Sequence, residues 1–530
     1  MELTKRNFFD WLGKLEPYFF LAVIAVNLIP VLSVDYFPTV DGPAHLYNAK
    51  LISELWRDGQ SPIRQYLEFN QTATSNWSGH LLLAGLHLFC SAFWVEKAIL
   101  LFYLVGFPLS VRYLLKASGV KSSLLLYLIF PFTYSFLFHY GFYNFNVGLV
   151  LFFFGIGLWV KNASTPRISN FAKLAAISIL ISLSHPFVFV LFLLSVFLMN
   201  LPNLMSAVTG SENRIGLIRN LLFQFASLSI GLAITVLFLV MEDTLQTSTR
   251  FIPWKDIIVS LKYIMPIKGI EPAAYDLMSR ALLYTFSALL LAVGVRSLRN
   301  RLQEGGFKLV WPEWLLLSLA TLVLLFVAPD YMGTAGFISA RLMWFLFIFL
   351  IIWLSFQKLP RWLSLSVFLV ANGVTAWSVH HNVKAISKAS TVAAELVEVS
   401  ALIEPNATVL PITIRQTKPF VHVSNYLGVD IPIILLYNYE AALTYFPLQW
   451  NYYKITEQKL GTMTPTTCVS WIEGKQEGKA VQIDYVCMVI EPGMSNQLEC
   501  KDELNRNLAE YYELVYSNLD GTVKLYRSRE

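Results

Sequence analysis

Val34-Asp35-Tyr36-Phe37-Pro38-Thr39-Val40-Asp41-Gly42-Pro43-Ala44-His45-Leu46-Tyr47-Asn48-Ala49 follows directly on an apolar run at residues 15–34. That run is long enough for a membrane-crossing helix, which needs roughly 17–25 residues. The stretch after it therefore puts two carboxylates and an imidazole at the edge of a bilayer. Ala44, Tyr47, Leu51 and Leu55 recur at helical spacing, with Ile52 and Trp56 beside them. The pattern predicts a helix with Asp41 as its N-cap and Pro43 in its first turn. Ser61-Pro62 predicts a second short helix in the same way. Loop 35–96 thus reads as interfacial helices on an outer face, not as a disordered tether.

Two roles are open to Asp41. It can serve as a cap alone, or as a carboxylate general base. The dipole at a helix N-terminus holds such a carboxylate ionised. An ionised carboxylate suits a weak base assisting a hydroxyl attack. Asp35 is the second candidate, or it marks the water boundary. His45 lies one turn after Asp41 on the same helix face. It can bind a phosphate, orient Asp41 or simply pack.

Outward from this loop the chain is a membrane protein. Of its 530 residues 55% are hydrophobic and 14% charged, against nearer a quarter charged in soluble domains. Mean hydropathy is +0.54. No barrel-like alternation is visible, so helices must satisfy the backbone in lipid. Apolar segments fall near 15–34, 97–115, 121–138, 142–161, 170–184, 185–201, 217–241, 280–297, 310–328, 336–356 and 361–379. Segment 78–94 is apolar but short, and carries His80 and His87.

Basic clusters around Lys5, Arg112, Lys161, Arg214, Arg296 and Lys358 all fall on one side if 78–94 does not cross. By the positive-inside rule this gives about eleven spans, within a range of about 11–13, with the C-terminus outside. Lys5, Arg6 and Lys14 precede an apolar run without a small-residue cleavage site, so that run reads as an anchor. The net charge of +5 reads as orientation signal, and no nucleic-acid partner is expected.

Residues 1–380 form the expected polytopic domain and 381–530 an extracytoplasmic α/β domain. Its expected elements are a helix at 382–403, strands at 407–414 and 480–490, a helix at 497–511 and a hairpin around Asp520-Gly521. Cys90 sits in an apolar segment and reads as packing. A disulfide between two of Cys468, Cys487 and Cys500 is possible if that region is outside. No C-x-x-C or His-rich tract suggests zinc, so no metal and no cofactor are expected.

Further site candidates lie along the outer boundary. Arg341 stands near the outer end of an apolar segment, where a charge is expensive. It can hold a phosphate bidentately or snorkel to the headgroups. His185, before Pro186, marks a tight outer turn. His422, Tyr439 and Glu440 lie in a segment rich in sugar-compatible side chains, where flat rings face pyranoses and polar groups supply hydrogen bonds. An ordinary domain surface has the same composition.

An N-terminal span, an Asp-bearing outer loop, a multi-span body and an outer C-terminal domain together resemble the GT-C superfamily of integral-membrane glycosyltransferases. The motif that carries the likeness is Asp41 within Val-Asp-Gly-Pro-Ala-His. The resemblance implies that Asp41 is the catalytic base. It also implies transfer of a sugar from a polyprenyl-phosphate donor to a glycan, lipid or protein acceptor on the outer face of a plasma membrane. The family's paired acidic motif is absent, since Gly42 follows Asp41, and His139, Tyr140, Asn144 and Asn146 stand where some members carry a second acidic residue. A flippase of a lipid-linked saccharide and a non-catalytic membrane scaffold are the alternatives. A flippase predicts an internal repeat with sites at the midplane, and no repeat is evident.

Overall fold

A computed structural model describes residues 2–529, apart from 72–74, 121, 163–166, 210–213, 242–248, 305–309, 334, 452–482 and 495–500. The α-helices are α1 (Glu2–Leu32), α2 (Gly42–Arg57), α3 (Ser78–His87), α4 (Ala92–Ala117), α5 (Phe136–His139), α6 (Tyr143–Asn162), α7 (Ile168–Ser184), α8 (Pro186–Val208), α9 (Arg214–Met241), α10 (Trp254–Lys262), α11 (Asp276–Glu304), α12 (Pro312–Val327), α13 (Ile338–Ser355), α14 (Arg361–Val399) and α15 (Lys501–Tyr511). Among the described residues, eight helices are long and apolar enough to cross a membrane. Shorter apolar helices at Leu124–His139, Ile168–Ser184 and Pro312–Val327 account for the rest of the eleven expected segments. Segment 78–94 gives only the short α3, followed by the start of α4.

Two expectations need correction. Residues 121–138 are not one regular α-helix. They run as 3-10 turns over Leu124–Phe132, with Pro131 inside, before α5. The expected break between a span at 361–379 and a helix at 382–403 does not exist. α14 is continuous over 39 residues. No Gly or Pro interrupts Val379-His380-His381-Asn382, so nothing stops it. At 1.5 Å per residue it extends about 58 Å, nearly twice the hydrocarbon thickness.

The chain divides into two compact units, each built from three separate stretches. The first comprises Met1–Pro30, Leu101–His139 and Phe145–Asn382. Its helices pack through aromatic and small residues. Ser182 Oγ donates to the Gly231 carbonyl at 2.9 Å, and a Cβ at Gly231 would lie 2.3 Å from Ser178 Oγ. Small residues thus let α7 and α9 approach closely. Glu16 and Arg112 form a buried two-pronged pair at 2.7 and 2.6 Å. Each charge supplies the other's missing solvation.

The second unit comprises Val31–Leu100, Tyr140–Asn144 and Val383–Glu530. Loop 35–96, grouped above with the spans, clusters here with the C-terminal stretch. The unit holds a five-stranded sheet of β4 (Thr408–Ile414), β5 (Ile434–Leu435), β7 (Tyr485–Ile490), β8 (Tyr512–Ser517) and β9 (Val523–Ser528), in the order β5-β4-β7-β9-β8. The first three strands are parallel neighbours and the last two close an antiparallel hairpin. Gly521 supplies the positive φ of that turn, at +64°. A second ladder pairs β1 (Leu67–Phe69) with β6 (Leu448–Trp450), and in the first unit β2 (Thr249–Arg250) pairs with β3 (Tyr331–Met332).

α2 is pinned to residues 433–438 of the same unit. The Tyr47 hydroxyl donates to the Ile433 carbonyl and accepts from the Leu435 amide, both at 2.9 Å. The Asn48 and Asn438 amides exchange hydrogen bonds at 3.0 and 2.8 Å. The Glu96 carboxylate accepts from the Phe37 amide at 2.8 Å and from the Tyr426 hydroxyl. Lys97 Nζ donates to the Val31 and Val34 carbonyls at 2.7 and 2.6 Å. It thereby satisfies acceptors left open at the end of α1. Cys90 is free and exposed, not packed as expected, and Cys487 is free and buried in β7. Cys468 and Cys500, the other possible disulfide partners, lie outside the described residues.

Candidate functional site

α2 starts at Gly42, but the Asp41 side chain makes no cap hydrogen bond. Thr39 Oγ1 takes that place, accepting from the Gly42 amide at 3.1 Å. The Asp41 amide donates to the Tyr140 carbonyl at 3.0 Å. The crossing is tight. A Cβ at Gly42 would lie 2.2 Å from both Thr39 Oγ1 and the Tyr143 hydroxyl, and one at Gly141 would lie 2.6 Å from the Gly42 amide. Gly141 also holds φ +80°, which favours glycine. The capping role expected of Asp41 is thus performed by Thr39, and the carboxylate is released toward the site.

One turn into α2, His45 meets Glu440. His45 Nδ1 lies 2.6 Å from Glu440 Oε1, and His80 Nε2 lies 2.9 Å from Glu440 Oε2. All three residues are at most 5% exposed. The two imidazoles meet edge to face, with centroids 4.7 Å apart. Burial works against the charged form of His45. The Glu440 carboxylate outweighs it, and His45 also has a backbone partner at Gly141, so its pKa rises. For His80 burial prevails over Glu440, and its pKa falls. Burial alone would raise Glu440, but the two imidazoles together hold it at about 2. The cluster therefore carries one imidazolium, one carboxylate and one neutral ring.

Asp41 stands beside this cluster with 17% of its side chain exposed. Burial raises its pKa to about 7, while the His45 charge and a hydrogen bond from Tyr439 pull the other way. The sequence expectation that the helix dipole would keep it well below neutrality fails. The carboxylate does not engage the helix N-terminus, and burial dominates. His422 Nε2 is 3.8 Å from Asp41 Oδ1. The His422 ring stacks on Tyr439 at 4.5 Å and 23°. Burial holds His422 down at about 3, so the approach to Asp41 is not an ion pair. Both His422 ring nitrogens lack hydrogen-bond partners. The arrangement offers a proton acceptor poised near neutrality, a neutral imidazole beside it and a charged pair behind it.

The ligand atoms of His45, His80 and Glu440 lie within 4.8 Å of one another. Two imidazoles and a carboxylate are a donor set that can hold a divalent ion. The backbone partner of His45 is of the kind that orients metal ligands. Sequence reasoning did not foresee this set, because its members are far apart in the chain and show no motif spacing. The same three groups also satisfy one another directly through hydrogen bonds.

A scan against protein-family models finds no match, and no curated protein matches in sequence. Comparison with solved structures does find a likeness. The crystal structure of ArnT from Cupriavidus metallidurans in the apo state matches over 96% of this chain and 97% of that chain, at 11% identity and a TM-score of 0.50. The chain shares the overall fold of that structure. At that identity the likeness is one of architecture.

Within this fold, the structure brings Asp41, His45, His422, Tyr439 and Glu440 together in the second unit. Asp35 stands apart from them. It is exposed and lines an open cavity of about 800 Å³ with Glu395, Glu398 and Asp520. Arg341 and His185 belong to the first unit. Arg341 is 8% exposed, so it does not snorkel. Its guanidinium lies 5.5 Å from the centre of the Phe145 ring, and His185 packs edge-on against the same ring at 5.4 Å. Sequence reasoning missed His80 as a site residue and gave no role to Thr39 or Tyr143. His80 was visible as a polar residue in an apolar segment, but nothing local tied it to Glu440.

Proposed function

We propose that this protein is a membrane glycosyltransferase that moves a sugar from a polyprenyl-phosphate donor to a nucleophilic group of an acceptor. In this reading the acceptor oxygen or nitrogen attacks the anomeric carbon. The bond from that carbon to the phosphate oxygen breaks with its electron pair, releasing polyprenyl phosphate. The acceptor's proton passes to Asp41. The observation that supports this best is the Asp41 carboxylate itself, released from capping and held near a pKa of 7. A base with that pKa combines a large deprotonated fraction with useful basicity. The Tyr439 hydroxyl and the charged His45 bias Asp41 toward its ionised form. Arg341 is assigned to the donor's phosphate, on its burial and its bidentate chemistry.

The test is Asp41→Asn in purified protein reconstituted in liposomes, assayed against a panel of polyprenyl-phosphate sugars. Transfer is expected to fall about 10²–10⁴-fold, with the thermal midpoint held. Transfer near the wild-type rate would remove Asp41 as the base.

A further inference from the structure

A cavity of about 330 Å³ lies within the first unit, among the ends of α6, α8, α9 and α12. Trp159, Asn200, Asn220, Gln224, Trp311 and Glu313 are among its lining residues. Hydrogen bonds fix the orientation of two of its amides, Gln224 and Asn200. An indole N–H can only donate, and Trp159 Nε1 lies 3.1 Å from Gln224 Oε1. That oxygen is therefore an acceptor. Asn200 Nδ2 donates to the same oxygen at 2.9 Å and to the Val196 carbonyl at 3.1 Å. Asn200 Oδ1 is left without a partner on a side chain that is 0% exposed. Asn220 Oδ1 and Glu313 Oε2 are likewise buried and unpartnered.

Three unmet acceptors, one on a carboxylate, leave a deficit of donors and of positive charge. Each buried group left unsatisfied costs free energy that a matching ligand recovers. The walls add aromatic faces from Trp159 and Trp311, which favour a cation, and apolar surface from Leu217 and Leu221. The volume exceeds what an inorganic ion needs and suits a small polar head. Lys161 closes α6, and Arg219 lies near the start of α9. Basic residues at span ends mark the cytoplasmic side.

We propose that this cavity binds a primary ammonium group, carried by the head of an inner-leaflet aminophospholipid. The ammonium supplies the N–H donors that the open oxygens of the lining lack, and its charge matches Glu313. A trimethylammonium head has the charge but no N–H to give.

The test is native mass spectrometry of the full-length protein with phosphatidylethanolamine, phosphatidylcholine and free ethanolamine as probes. Phosphatidylethanolamine is expected to be retained about tenfold or more over phosphatidylcholine, as for charged hydrogen bonds won or lost. Glu313→Gln, which keeps the side-chain shape, should abolish that preference. Asn200→Leu should do the same, but it also breaks the bonds to Gln224 and Val196. Glu313→Gln, at a half-buried helix start, therefore keeps the test open if Asn200→Leu fails to fold. Competition by free ethanolamine at equal concentration would keep the ammonium site and assign it a soluble amine. Equal retention of the two lipids, or a preference unchanged in Glu313→Gln, would overturn the proposal and leave a void filled by water.

Discussion

Asp41 gains a proton more readily in the folded protein than in the unfolded chain, and this has consequences for both rate and stability. Its pKa is raised from 3.8 to about 7, so the base form appears as pH rises through 7. Transfer should climb over that interval and level off above it, a limb that Asp41→Asn should erase from the pH–rate profile. The stability linkage has the opposite sense. The folded state resists ionising Asp41, so no cost exists below about 4, and the cost grows between 4 and 7. Asp41→Asn should therefore unfold at or above the wild-type temperature at pH 8. A marked fall there would show that the carboxylate holds the fold.

Glu440 behaves oppositely. Its pKa is held at about 2, so its stabilisation is present above about 4.5 and is lost as pH falls toward 2. Glu440→Ala strands the His45 charge and should cost on the order of 3 kcal/mol in chemical unfolding. A loss below 1 kcal/mol would mean that His45 is neutral. Arg341→Lys replaces a planar fork with a point charge and should weaken donor binding while leaving expression intact. Unchanged donor affinity would reduce Arg341 to a packing role.

At the scale of elements, the decisive contact is the crossing of Asp41-Gly42 with Tyr140-Gly141. Gly42→Ala would drive a methyl against Thr39 and Tyr143, and Gly141→Ala adds the strain of φ +80°. Each should lower stability by about 1–3 kcal/mol and lower activity with it, measured by thermal shift and transfer rate on the same preparations. The sequence announced α2 correctly through Pro43 and the apolar spacing, and it marked Asp41 as special. It assigned the cap to the wrong side chain because Thr39 and Asp41 are both good capping residues. Only the approach of Tyr140, about a hundred positions away, decides between them. The spans were legible because hydrophobicity over a span-length window is a local property. The 3-10 path before α5 and the unbroken length of α14 were not. Tyr439, Glu440 and His422 were noticed for their composition alone, and their meeting with His45 and His80 is a tertiary fact.

For the molecule as a whole, the exposed free thiol of Cys90 is a natural reporter of topology. Positive-inside reasoning puts loop 35–96 on the outer face. In a Cys468→Ser, Cys500→Ser background, a membrane-impermeant maleimide applied to intact cells should label Cys90, and Cys90→Ser should abolish the signal. Labelling only after permeabilisation would invert the topology.

The pairing of the early loop with the late chain also sets a timetable. Glu440 follows His80 by 360 residues, and β1 must wait for β6 before its ladder can close. At roughly 5–20 residues per second of synthesis, the first loop waits on the order of half a minute for its partners. Through that interval two imidazoles lack their carboxylate partner and a strand lacks its mate. A chain that stops short of residue 440 would lack both the carboxylate that joins the two imidazoles and the strand that completes the β1–β6 ladder.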